Sequence, residues 1–77
     1  MDMRKLVGLK VRRLRLAAEM TQEQFAERSG FSQQYISDLE RGRRNPTIVS
    51  LFELAQALDA APVDLLATEG KSLERRT

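Results

Sequence analysis

Apolar residues recur along this chain at the three- and four-residue spacing of helices. Val7, Val11 and Leu14 form the first stripe, with Gly8 and Ala18 as small residues on or near it, and they predict a helix over residues 3–18. Lys10, Arg12 and Arg13 fall on its solvent side. A second helix opens at Thr21, where Thr-Gln-Glu-Gln has the form of a capping box. Phe25, Ala26 and Ser29 give it a small apolar face, Gly30 ends it, and Phe31 follows as a core plug. Ser32 is placed to cap a third helix, which Gly42 stops. The fourth carries the strongest period in the chain, Ile48, Leu51, Leu54, Ala55 and Leu58 behind a Thr47 cap, and leaves Val49 and Phe52 outside that stripe. Pro62 suits the first position of a short fifth helix bearing Val63, Leu65 and Leu66. The expected fold is all-α, a compact five-helix bundle over residues 1–67. Residues 68–77 have no apolar period and are expected to form a polar tail.

The stretch 21–46 holds two short helices around a glycine turn, the pattern of a helix-turn-helix. At about 100° per residue, Ile36 and Leu39 point to one side of the third helix. Gln34 and Arg41 centre the opposite side, flanked by Gln33, Ser37 and Asp38, with Tyr35 and Glu40 at the borders. In such a motif the start of the second helix meets base edges in the major groove. A glutamine amide pairs bidentately with adenine, worth on the order of 1–3 kcal/mol of discrimination, so Gln33 and Gln34 are the leading candidates. The Ser37 hydroxyl can serve either base type. Gln22, beside the free amides of the second helix, suits a phosphate, and Arg43, Arg44 and Asn45 suit the backbone beyond the third. Exposed glutamines are also ordinary helix-surface residues. Tyr35 fits either the core edge or DNA, and Arg41 either a phosphate or a pair with Asp38. Asp38 itself could accept from a cytosine amino group, pair with an arginine, or penalise wrong sites.

Composition narrows the chemistry. The chain has 77 residues, near the lower limit for an unaided core, and no cysteine or histidine. Disulfides and thiolate zinc sites are thereby excluded, and the commonest general base is missing. No catalytic constellation is visible, so an enzyme is not expected, nor a cofactor, a metal or a small-molecule ligand. The net charge of +2 says little, but its distribution is segmented. Residues 1–20 and 41–50 are rich in Arg and Lys, whereas 21–40 are predominantly acidic, as when one surface faces a polyanion. No apolar run is long enough to span a bilayer, and a soluble cytoplasmic protein is the expectation.

TQEQFAERSG followed by FSQQYISDLERGRRNPTIVSLFELAQAL resembles the Cro and lambdoid-repressor type of helix-turn-helix domain, the Xre family, over residues 5–67. The resemblance rests on a combination: TQ opening the second helix, LE near the end of the third, a glycine after it, then proline and an amphipathic helix. It implies a lambda-repressor-like fold that binds double-stranded operator DNA as a two-fold dimer. It further implies a phosphate contact from Gln22, base-reading positions at Gln33, Gln34 and Ser37, and a partly buried pair between Arg15 and Glu40. Tyr-Ile-Ser and the RRNPT loop look especially like the controllers of restriction–modification operons, which implies that Tyr35, Arg44 and Asn45 also approach DNA.

A palindromic operator requires a homodimer, for which Val49, Phe52, Val63 and Leu66 are candidates, rim packing being the alternative. The competing function is an antitoxin that masks a partner protein and binds DNA secondarily.

Overall fold

Each helix of this computed structural model, which describes residues 2–66, starts at a polar cap written into the sequence. The first, α1, spans Met3–Ala17, with the Asp2 carboxylate accepting from the Arg4 amide at 3.0 Å. That hydrogen bond holds the Asp2 carboxyl below the usual carboxylate range. Helix α2, Gln22–Ser29, opens with a reciprocal capping box. The Gln24 amide donates to Thr21 Oγ1 at 3.1 Å, and the Thr21 amide donates to Gln24 Oε1 at 2.8 Å. Ser32 Oγ receives the Tyr35 amide at 3.0 Å to start α3, Gln33–Glu40. Thr47 Oγ1 receives the Ser50 amide at 3.0 Å to start α4, Ile48–Ala57. Gly30 closes α2 with φ at 85°, a left-handed conformation natural to a residue without Cβ.

Four α-helices are present among the described residues, not five. The segment Pro62–Leu65 is a single 3-10 turn. Proline removes one donor, and the remaining amides reach back only three residues, Asp64 to Ala61 O at 2.9 Å and Leu66 to Val63 O at 3.0 Å. The tail expected over 68–77 lies outside the described residues. No helix among them is long and apolar enough to cross a membrane.

The core gathers one face from every element. Val11 of α1, Phe25 of α2, Ile36 and Leu39 of α3, Leu54 of α4 and Leu65 of the 3-10 turn are fully buried together. Helix α3 packs against both α1 and α2, while α4 packs against α2 and the 3-10 turn. Two assignments fail. Ala18 lies beyond α1 and is exposed. Ile48, expected in the core stripe of α4, is 78% exposed, at the first position of the helix, one turn before the buried Leu51.

Gly8 is more than a small filler. A Cβ built there would stand 2.4 Å from the Leu39 carbonyl oxygen, so α1 crosses the end of α3 with no room for a side chain. The obstacle is backbone and cannot rotate away. Gly8→Ala is therefore expected to cost about 1–3 kcal/mol, despite alanine's better helix propensity. Urea unfolding would show a lower midpoint with an unchanged slope.

Candidate nucleic-acid interface

The end of α3 is anchored to the other helices by one guanidinium. Arg15, on the buried side of α1, donates through Nε to Glu40 Oε2 at 2.6 Å and through Nη2 to Glu40 Oε1 at 3.0 Å. Its Nη1 donates to the Met20 carbonyl at 2.8 Å, just ahead of α2. The side chains are only 9% and 4% exposed. The geometry is the two-pronged match that makes arginine suited to buried carboxylates. Gln22 completes the knot, its Nε2 donating to Glu40 Oε1 at 3.0 Å. One of its two N–H groups is thus used within the fold, and a side-chain amide keeps a second for another acceptor.

With that end held, α3 presents Gln33, Gln34 and the half-buried Ser37 and Asp38 away from the core residues Ile36 and Leu39. The polar side splits into two groups. Ser37 and Arg41 line a polar cleft of about 300 Å³ together with Gln22, Arg12, Arg15 and Glu40. Arg12 had been assigned only to the solvent face of α1, and its place on this cleft follows from how α1 lies across α3. No spacing within α1 reveals that.

The second group is built around Asp38. Gln34 Nε2 donates to Asp38 Oδ1 at 3.0 Å, and Arg44 Nε lies 3.8 Å from Asp38 Oδ2. Arg44 also lies over the Tyr35 ring, 5.0 Å from its centroid, and that ring stacks on Phe31 at 4.7 Å and 15°. Tyr35 is half-buried, packing on one face and facing a cation on the other. The Asp38 carbonyl accepts from the Arg43 amide at 2.9 Å, so the turn after α3 is tied to the same residue. Gly42 makes that turn with φ at 78°, close against Lys5. A position at i+4 from Gln34 gave a signal for the first of these contacts. The pairing with Arg44 crosses a turn and had no local period to show it.

Asn45 lies on a different cleft from Arg41, with Arg4 beside it. It lines a mostly apolar cleft of about 120 Å³ with Met3, Val7, Pro46, Leu51 and Leu66. Val49, Phe52, Val63 and Leu66 are all exposed, at 61%, 50%, 49% and 38%. Ile48 joins them, so α4 and the adjoining 3-10 turn carry an apolar surface larger than the spacing alone suggested. Among the described residues no cluster of His, Cys, Asp or Glu could hold a metal ion.

Comparison with known proteins identifies the fold and family. The helix-turn-helix family matches residues 11–66. An uncharacterised HTH-type transcriptional regulator of Sinorhizobium fredii is 62% identical over 66 residues, covering 86% of each chain. The crystal structure of the restriction-modification controller protein C.AhdI from Aeromonas hydrophila superposes with a TM-score of 0.78 at 39% identity, covering 80% of this chain and 94% of that one. The controller C.Esp1396I, solved as a tetramer on its natural 35 base-pair operator, gives a TM-score of 0.77 at 34% identity, with 84% and 86% covered.

The knot around Glu40 yields a stability prediction. Glu40→Ala leaves the Arg15 charge buried without its partner, at a cost of about 3–5 kcal/mol, a large part of the stability of so small a domain. Thermal unfolding should show a steep loss for Glu40→Ala and a much smaller one for the double variant Arg15→Met/Glu40→Leu.

Proposed function

The chain belongs to the helix-turn-helix family of DNA-binding transcriptional regulators, and we propose that it binds a palindromic operator as a homodimer, in the manner of a restriction–modification controller. The observation that carries this reading is the isolated polar side of α3, with Gln33, Gln34 and Ser37 projecting from a helix whose other side is fully buried. An α-helix fits the major groove, and its first turn meets the base edges. Gln33, Gln34, Tyr35 and Ser37 then read bases. Gln22, Arg41, Arg43, Arg44 and Asn45 contact phosphates, and Arg12, which shares a cleft with Gln22 and Arg41, joins them in this reading. The similarity to two controllers, one of them solved on its operator, supports the reading as an operator-binding protein.

A two-fold operator calls for two copies of α3 about 34–36 Å apart. The exposed Val49, Phe52, Val63 and Leu66, with Ile48, supply a self-complementary apolar surface for that pairing. In this reading the protein works in the cytoplasm, where its DNA is.

Gel shifts on the DNA upstream of its gene should show specific binding whose logarithm falls steeply and linearly with that of the salt concentration. Gln34→Ala should relax base preference at one position per half-site. Arg43→Ala should weaken all sequences alike and reduce the salt slope by about one. An unchanged preferred site in Gln34→Ala would refute this placement of α3.

The dimer surface is tested separately. Sedimentation of Phe52→Glu should give monomer at concentrations where the parent protein is dimeric. A dimer of unaltered affinity would remove α4 from the interface.

A further inference from the structure

We propose that Asp38 is a specificity-determining residue that fixes which way round the Gln34 amide faces the bases, so that the protein tells A·T from T·A at that position. The inference rests on the reading of α3 as the base-contacting helix. It starts from an asymmetry in hydrogen-bonding capacity. A carboxylate only accepts, whereas a glutamine amide has a carbonyl end that accepts and an NH2 end that donates. The group 3.0 Å from Asp38 Oδ1 must therefore be the NH2 end of Gln34, and Nε2 occupies that place. One N–H is engaged there. The carbonyl and the second N–H stay available, with the donor on the Asp38 side and the acceptor away from it.

That order is what a base pair can detect. Adenine offers N7 as acceptor beside the N6 amino donor in the major groove, and reversing the pair reverses their order across the groove. A free glutamine can turn its amide over and satisfy both orders. One braced by Asp38 satisfies a single order and loses the brace in the other.

The brace is itself held. Asp38 is 21% exposed, and its second oxygen faces Arg44 Nε at 3.8 Å. Arg44 rests on the Tyr35 ring, which stacks on Phe31. The Asp38 carbonyl also accepts from the Arg41 and Arg43 amides at 3.1 and 2.9 Å, pinning the residue to the helix end. The carboxylate thus occupies a defined position from which it orients Gln34, beside an Arg44 side chain that stays about half exposed. It also opposes the paired acceptors N7 and O6 of guanine at that site.

The test uses the full chain and duplexes selected with it from a random-sequence library. Gln34→Ala first locates the base pair concerned, as the one whose preference it erases. Fluorescence anisotropy then compares the four base pairs at that position for the parent protein, Asp38→Asn and Asp38→Ala. Asparagine keeps the shape but can both donate and accept, so it no longer dictates the amide order. The parent is expected to prefer one orientation of the A·T pair by about tenfold over its reversal, the scale of one bidentate contact. Both variants are expected to bind the two orientations within about twofold of each other, and to bind mixed-sequence DNA more tightly as a negative charge is lost from the DNA-facing side. If both variants keep the parent's orientation preference, the inference is overturned while operator binding stands. If the parent protein selects no sequence from the library, the reading of α3 fails and the inference falls with it.

Discussion

The orientation of α3 depends on the bidentate contact between Arg15 and Glu40. Four hydrogen bonds converge there, from one guanidinium and the Gln22 amide onto one carboxylate and the Met20 carbonyl, and together they join α1, the start of α2 and the end of α3. A buried ion pair is weak evidence for stability, because desolvation opposes the Coulombic gain. Its value here is geometric. Apolar contacts at Ile36 and Leu39 hold α3 in the core without choosing its rotation sharply, whereas paired N–H groups meeting both oxygens of Glu40 do. The close crossing at Gly8 adds a second constraint at the same end, since α1 meets the Leu39 carbonyl directly. With one end of an eight-residue helix so fixed, the polar side that begins at Gln33 has a single direction to face.

Much of the fold was legible in local pattern. Thr21, Ser32 and Thr47 each cap the helix that follows, and Gly30 takes the left-handed turn, because these devices act within four residues of chain. What was not legible depends on how elements lie against one another. Ile48 fits the angular stripe of α4 yet is exposed, since period says which side faces inward but not how far a partner extends along it. The fifth helix is a single 3-10 turn, because four residues are too few to build a ladder of i−4 bonds. For the candidate site, the same limit held. The glutamines and arginines could be named from spacing, but the contact of Asp38 with Arg44 and the place of Arg12 on the cleft arise from a turn and a helix crossing.

The charged groups divide into those that build the platform and those that stand on it. Arg15 and Glu40 are almost fully buried and neutralise each other, so they add little to the field outside. Arg41, Arg43 and Arg44 stay exposed on the turn beyond α3 and form a local cationic edge despite a modest net charge of +2. Asp38 sits between the two sets. It reduces that local charge, which weakens attraction to any phosphate, and in exchange it orders the side chains around it. A protein that must reject many non-specific sites gains from such an arrangement, because specificity is a difference of affinities.

The central claim, that α3 enters the major groove and reads bases, is tested most directly by the crystal structure of the protein on its selected operator duplex. In that complex α3 is expected in the groove of each half-site, with the Gln33 or Gln34 amide within hydrogen-bond distance of base edges and Arg43 at a phosphate. A complex in which α3 touches only phosphates, or faces solvent while another element fills the groove, would contradict it.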